Sequence, residues 1–503
     1  MNDVALPSDI FGGAAEVSAG DVASALGFGG VNDLLKAMTV GDQFPATIGE
    51  LSPGAMMATV PQDLDDVLHN ASFGDRQIVL QKMLKTDKVW STVHQYVRKH
   101  SPGSAGRRFM FHREGGLPVE SDSTYSLESL AMKYLGAVRR LPIQARLVKS
   151  VAGDAVKNQN KDGALEILAS LEWHLFYGNS ATNPLAFDGI KTIMKREGIL
   201  LDARAATPSE SLLDEAMSKV CERPNWGYPT HLMSSSAVNR TLRQTYAGRI
   251  RAMMGDKFHP NYQLKGMVYD HCADGDEVKI IKHPLVIEES GLPDERGAGP
   301  DPSSRPVEPL IVVQPASGAA GANRSDFVAN DAGAYYYRIV ALNGGGMSKP
   351  VTTNAVNAVA GQVISITIRD GAVPGSKQAA TAFMIYRTEK GGAATTAKYI
   401  TEVAVAANNA DTVFIDGNGD LPGCSDIFIL SNDSEAIEIK QLLPFFNFPL
   451  GNMDTSYRWA LLLFLALKIA LPRKHCVIKN VKPDAQLIQL VGSGDQSGPQ
   501  QHV

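Results

Sequence analysis

Cysteine is scarce: the 503 residues hold four, at 221, 272, 424 and 476. They are scattered and form no CxxC pair, which argues against a zinc ribbon or a disulfide framework and fits a reducing compartment. Long apolar runs are lacking too. The most apolar stretch, 459–467 (WALLLFLAL), is closed off by Lys468 and Pro472. It falls short of the roughly 20 residues that span a bilayer as a helix, so no membrane partner is expected and a buried helix is read there. Asp3 and Asp9 stand where a secretory leader would be basic and then apolar, and no leader is expected. The chain has no GxSxG elbow, no P-loop and no HExxH, the spacings that would announce a hydrolase, a nucleotide site or a zinc protease. Neither sign of charge dominates: 48 Lys and Arg stand against 53 Asp and Glu, a net of −5. A nucleic-acid-binding domain is usually far more basic.

What is present describes a soluble globular protein. The chain is 44% hydrophobic and 20% charged, enough to fill cores, and its length suggests roughly two to four domains. Charge is unevenly placed. Residues 1–75 carry eleven acids and one lysine, and residues 76–149 carry fourteen bases and five acids. Such asymmetry marks either two solvated faces or two arms that meet partners of opposite sign.

Along the chain, residues 1–70 are rich in Gly, Ala and Asp, with a helical piece at 32–38, and read as an arm that packs on something else. Residues 75–100 place Ile78, Val79, Lys82, Met83 and then Val89, Val93, Tyr96, Val97 near spacings of four. This predicts one or two amphipathic helices with a basic outer face. Ser101-Pro102-Gly103 breaks that pattern, 107–113 (RRFMFHR) alternates, Glu114-Gly115-Gly116 turns, and Leu141, Ile143, Ala145 and Leu147 alternate again. The expectation is a long hairpin with two poorly buried faces, which would lean on a neighbour.

Residues 154–177 predict a helix roughly 35 Å long, with Ala164, Leu168, Leu171 and Leu175 as its stripe. It should end at Tyr177-Gly178-Asn179, in a left-handed cap. Further helices are predicted at 209–221 and from Ser236 to about Gly255, and strands at 231–233, 278–281 and 285–287, the alternation of an α/β layer. Five prolines in 292–309 mark a linker. Beyond it, 335–341, 364–368, 383–387, 399–405 and 412–416 read as short strands separated by Gly- and Asn-rich turns, the texture of a β-sandwich. The α/β texture then returns, with a strand at 437–443, an apolar connection at 444–450, the buried helix at 457–471 and a strand at 475–481.

Candidate chemistry is weak throughout. His259, Asp270, His271, Cys272 and His283 lack the short spacing of metal ligands. Asp416, Asn418 and Asp420 begin like a calcium loop, but Leu421 replaces its glycine and Ile427 its bidentate glutamate. The glycines of 344–349 (GGGMSK) lack Walker order. Arg107, Arg108 and Arg113 beside Phe109 and Phe111 suit nucleic acid or, more readily, a solvated or intersubunit strand face. His174 and Asp188 read as structural. No catalytic residue, cofactor-binding residue or metal ligand is assigned.

Two segments carry a resemblance. LEWHLFYGNSATNPLAFDGI at 171–190 is similar to the E…FYGN…FDG segment that ends the spine helix in major capsid proteins of tailed bacteriophages, and YRWALLLFLALKIALPRKHCVIKNV at 457–481 resembles their last helix and strand. The likeness covers about 75–300 and 424–485. It implies an α+β, Hong Kong 97-type capsid fold with an inserted all-β sandwich. The implied parts are an N-terminal arm (1–100), an E-loop hairpin (101–148), a peripheral domain with the spine helix (149–200) and the first part of an axial domain (201–304). A sandwich follows (305–423), then a return to the peripheral and axial domains (424–503). Within the sandwich, YYYRIVALNGGGMSKP at 335–350 resembles a fibronectin type III strand and turn, with an immunoglobulin-like alternative.

The resemblance further implies a non-enzymatic subunit that self-assembles into hexamers and pentamers of an icosahedral head around double-stranded DNA. Scaffolding, portal and decoration proteins would be partners, contact with packaged DNA would be non-specific, and no cofactor is implied. The protein would be assembled in the bacterial host cytoplasm and reside in the virion. Some such proteins cross-link through a hairpin lysine. Lys133 is the only lysine between Arg107 and Arg146, and without an evident partner no cross-link is expected. Alternatives are an encapsulin-like compartment shell and a glycan-active enzyme with a fibronectin-like module, which would need paired carboxylates on strand ends.

Overall fold

A computed structural model describes residues 75–101, 103, 111–117, 120, 122–147, 154–247, 270–273, 276–286, 303–317, 325–373, 376–406, 410–451 and 455–483. Of its two compact units, the first (Met1–His69 with Val148–Ala155) includes only Asp154 and Ala155 of these, and the second carries the rest. The expected helical piece at 32–38, residues 107–110 of the hairpin, the helix beyond 247, His259 and most of the proline linker lie outside the described residues.

In chain order the elements are α1 (Leu80–Met83), β1 (Thr86–Lys88), β2 (Val93–Ser101), β3 (Thr124–Ala131), β4 (Lys133–Pro142), α2 (Ile143–Leu147), α3 (Ala155–Tyr177), α4 (Ile190–Glu197), β5 (Ile199–Asp202), α5 (Glu210–Cys221), β6 (His231–Ser234), α6 (Ser236–Ala247), β7 (Asp270–Ala273) and β8 (Asp276–Lys282). The all-β stretch follows as β9 (Leu310–Ser317), β10 (Gly333–Tyr335), β11 (Tyr337–Asn343), β12 (Gly346–Met347), β13 (Val351–Thr352), β14 (Val356–Ala358), β15 (Gln362–Arg369), β16 (Ala382–Arg387), β17 (Lys398–Ala404) and β18 (Thr412–Asp416). The chain closes with β19 (Ser425–Leu430), β20 (Ile437–Pro449), β21 (Ser456–Ile469) and β22 (Cys476–Val481).

Two sheets organise the α/β part. The first is ordered β1-β20-β21-β4, and its inner face lies against α3, where Gly163 meets Leu461 and Arg139. The second is ordered β5-β22-β19-β6-β8-β7. Leu213, Met217 and Val220 of α5 and Val238 and Leu242 of α6 share one core with Ile427, Ile429 and Ile478 of its strands. Ser209 caps α5 by accepting the Leu212 N–H at 3.3 Å, as its side-chain oxygen is suited to do. Among the described residues β9 to β18 pair only with one another, in sheets β18-β15-β9, β12-β11-β16-β17 (with β13 on β11) and β10-β14.

Several expectations are overturned. The helix expected at 457–471 is strand β21, Ser456–Ile469. Trp459, Leu461, Leu463 and Leu465 fill one face, and Ala460 and Ala466 on the other are buried as well. A run that is apolar on both faces shows neither the period of a strand nor that of a helix, and tertiary pairing overrides the helix preference of Leu and Ala. Residues 444–450 are not a connection: β20 continues to Pro449 and takes up Pro444 within the register shift between Leu443 and Phe446, the place where a strand tolerates proline. Of residues 75–100, Leu80–Met83 is helical as expected, but the second predicted helix is strand β2, because Val93 and Val97 are four apart in a period of two as well as of 3.6. Ile143–Leu147 is a short helix and Leu285 lies in a turn. The buried stripe of α3 is Gly163, Ile167, Leu171 and Leu175, with Ala164 and Leu168 beside it. Among the described residues no helix is long and apolar enough to cross a membrane.

His475, buried before β22, accepts the Ser431 N–H on Nδ1 at 3.1 Å. Burial, with Lys474 adding, pushes its imidazole down to about 4. The folded value lies below the unfolded 6.5, so the unfolded chain binds the proton first and stability falls as pH drops through that window. The loss between pH 7 and 4 amounts to about 3 kcal/mol. Denaturant titrations across that range should show a correspondingly flatter profile for His475→Gln, and equal slopes in the two proteins would refute the assignment.

Candidate interaction surfaces

Strands β2 and β3 form an antiparallel hairpin that pairs Val93 with Ala131, Gln95 with Ser129, Val97 with Leu127 and Lys99 with Tyr125. Opposite residues share a face, so these eight side chains form one surface. Val97, Tyr125 and Leu127 on it are 64%, 61% and 65% exposed. The other face, His94, Tyr96, Arg98, Ser126, Glu128 and Leu130, turns toward the body. Arg98 binds Glu197 at 2.8 Å and lies 3.8 Å from Glu128, and its hydrogen bond is the main reason the Glu197 carboxyl is held below its ordinary range. Lys468 sits 5.0 Å from the Tyr96 ring centre. His94 is pushed below the ordinary imidazole value by burial and then by Lys440 and Lys468. The hairpin is thus fixed at its root, and one face has no cover.

The four-stranded sheet has the same asymmetry. Its inner face packs on α3. On its outer face β4 contributes Tyr134 and Val138, 60% and 65% exposed. Their partners on β21 are Phe464 and Ala460, and Phe446 and Phe448 of β20 pair with Leu462 and Ala460. Tyr134 and Phe464 meet edge to face at 4.8 Å, and both β20 phenylalanines are exposed. Near the hairpin root, Ala466 joins a small core with Val89, Met132 and Leu130. Two apolar faces thus stand open in one chain, and contiguous exposed apolar surface of this kind marks association in proteins that are otherwise soluble.

Among the groups that hold the stretch 171–190, sequence reading passed over Glu172. Glu172 of α3 is fully buried and accepts the backbone N–H groups of Val79, Leu80 and Gln81 at 2.8, 2.5 and 3.0 Å. His283 lies 2.8 Å from the same carboxylate through Nε2, while its Nδ1 accepts the Leu285 N–H at 3.2 Å. Nδ1 as acceptor and Nε2 as donor describe a neutral ring. Phe176 packs on Phe428 and His283, with ring centres 4.8 and 4.7 Å away. Asp188 accepts the Ser180 N–H at 2.8 Å and pairs with Arg196 at 2.9 Å. His174 lies 2.7 Å from the Ser170 carbonyl through Nδ1.

The other sequence candidates have structural partners. His283 serves Glu172, while Asp270, His271 and Cys272 lie in β7. Among the described residues no group of three or more His, Cys, Asp or Glu is placed to hold a metal ion. Asp416 and Asn418, of the calcium-like set, both face the buried Arg387 guanidinium at 2.5 and 2.7 Å, and Tyr337 donates to Asp416 at 2.7 Å. Ser348, in the glycine-rich turn, donates to the Lys349 carbonyl and accepts the Ala341 N–H. Lys133 donates to the Pro184 carbonyl at 2.7 Å. Arg107 and Arg108 lie outside the described residues, and Phe111 is exposed.

No protein-family model matches the chain. It is similar to the major capsid protein of Staphylococcus phage S25-3, 23% identical over 450 residues, covering 86% of this chain and 91% of that one. The major capsid protein of Staphylococcus phage K matches at the same identity and coverage. A solved chain of Mycobacterium phage Adephagia overlaps 87% of this chain and 99% of its own at 10% identity, with a TM-score of 0.40, a likeness too loose to bear on the fold.

Proposed function

We propose that this chain is the major structural subunit of a tailed-phage head, assembling as hexamers and pentamers of an icosahedral shell around double-stranded DNA, with no catalytic role. The observation that carries the reading is the pair of open apolar faces on an otherwise soluble body. The named capsid relatives, matched over most of both chains, support it. In this reading the β2/β3 hairpin, which reaches back from the expected 101–148 to Val93 in the expected N-terminal arm, is the E-loop and lies on the next subunit, whose open sheet face offers Tyr134, Val138, Phe446 and Phe448. Many contacts of modest strength, repeated around a closed shell, reinforce one another. Helix α3 is the spine of a peripheral domain, and the six-stranded sheet with α5 and α6 belongs to the axial domain. The β9–β18 sandwich is an outward accessory domain of immunoglobulin or fibronectin type. Scaffolding, portal and decoration proteins are the further partners.

The decisive experiment pairs assembly with folding. Val97→Asp with Leu127→Asp should reduce shell formation, read by negative-stain imaging and sedimentation, by at least about tenfold. The isolated subunit should keep its thermal midpoint, since both sites are exposed and such substitutions shift stability by about 0.5 kcal/mol or less. A double variant that assembles like the parent would sink the hairpin's role. Shells that package protein cargo and never DNA would instead favour a compartment protein. Deleting 306–422 should leave shell formation intact if the sandwich is accessory.

A further inference from the structure

A cavity of about 400 Å³ lies between the C-terminal end of α3, the turn after it, α4 and strand β17 of the sandwich. Glu402 lines it and stands out chemically. Among the described residues its carboxyl has neither a hydrogen-bond donor nor a cation, and burial alone raises its proton affinity. The other charges on the wall are mostly matched. Lys191 holds Asp426 at 2.8 Å and stands 3.8 Å from Asp420, with its ammonium 5.6 Å from the Tyr177 ring centre. Lys195 reaches the cavity wall but is not among the groups that act on Glu402. Trp173 and Tyr399 complete the aromatic lining, and the Tyr399 phenol is pushed up by burial and then by the Glu402 charge.

A half-buried carboxylate without a counter-charge is unfavourable, and a cation placed against it and an aromatic face relieves that state twice over. Lys191 over Tyr177 already shows an ammonium accepted by this wall. We propose that the cavity binds a primary alkylammonium group, paired with Glu402 and shielded by Trp173 and Tyr399. Two sources share this chemistry, a free diamine and a lysine side chain of a second copy. The inference stands independently of the shell reading.

The test uses the full dispersed chain at pH 8, titrated with putrescine and, as neutral and ionic controls, 1,4-butanediol and matched NaCl. Putrescine should give a saturable rise in thermal midpoint and a change in tryptophan fluorescence that the controls do not. Glu402→Gln should weaken binding by about tenfold or more, and Trp173→Leu should weaken it less. Without ligand, Glu402→Gln should itself raise the thermal midpoint at pH 8. The raised carboxyl contributes stability in its protonated form, which is lost as pH rises through its folded value, and the amide carries no charge to lose. If putrescine fails but Glu402→Gln weakens association between copies, the occupant is a lysine side chain. If binding is the same with butanediol, or unchanged in Glu402→Gln with association intact, the proposal is wrong. It is equally wrong if Lys195→Met alone moves the Glu402 titration, since Lys195 is then its partner.

Discussion

Glu172→Ala is expected to lower stability by about 3–5 kcal/mol, among the largest effects of any side chain here. The carboxylate is fully buried and accepts three successive backbone N–H groups of residues 79–81 together with the His283 Nε2–H. Alanine strands four donors, of which the Leu80 N–H and the His283 Nε2–H are buried and the Val79 and Gln81 N–H groups partly so, and a buried donor left unpaired costs about 1–3 kcal/mol. The damage should be local first. Residues 76–92, which enter the body at α1 and β1, should become sensitive to protease before the rest. Glu172→Gln keeps one carbonyl oxygen and should lose roughly half as much. Denaturant titration with limited proteolysis measures both. A loss below about 1 kcal/mol for the alanine variant would show that α1 is held by its apolar contacts alone.

Gly178→Ala and Gly189→Ala should each destabilise by about 3 kcal/mol or more, to the point of insoluble expression. A Cβ on Gly178 would stand 2.5 Å from the Phe187 carbonyl oxygen and 2.6 Å from that of His174. One on Gly189 would stand 2.5 Å from the His174 oxygen and 2.7 Å from the Gly178 nitrogen. All of these are backbone atoms and cannot swing aside. They also belong to the closure in which the Gly189 N–H donates to the Gly178 carbonyl at 2.8 Å. The double variant should therefore lose much less than the sum of the two, since both break one contact. Gly163→Ala is the control. It meets the Leu461 methyl at 2.5 Å and Arg139 Nε at 3.0 Å, side-chain atoms that can shift, so about 1 kcal/mol is expected. Comparable losses at 163 and 178 would show that space, and not backbone closure, governs the turn.

The same two glycines show how sequence reading and structure divide the work. The pattern placed a helix over 154–177 and ended it at Gly178, and α3 ends there. The reason proposed, a left-handed cap, was wrong: neither Gly178 nor Asn179 has positive φ. Glycine is needed because the chain returns at Gly189 and touches the helix end, a close approach between residues eleven apart that no local propensity encodes. Glu172 was passed over for a related reason. A glutamate on a helix reads as solvated, and only the chain packed across it, more than ninety residues earlier, makes it an anchor. Glu402 was equally silent, since a strand glutamate becomes notable only when the cavity around it sets no counter-charge against its carboxyl.

Local signals were enough where one face of an element meets water and the other a core. That holds for α3, for α5 with its Ser209 cap and for the alternating strands of the all-β stretch such as β15 and β18. It failed at β21, where both faces carry apolar residues and the run has no period, and at β2, where spacings of four satisfy helix and strand alike. The sequence by itself therefore determined the texture of the chain: a long helix, an α/β layer and a block of short strands after a proline-rich linker. The tertiary structure alone decided which apolar residues remain uncovered, because exposure depends on what the rest of the chain brings to each face. Those uncovered faces, on the β2/β3 hairpin and on the sheet of β20, β21 and β4, are the surfaces on which the proposed assembly rests.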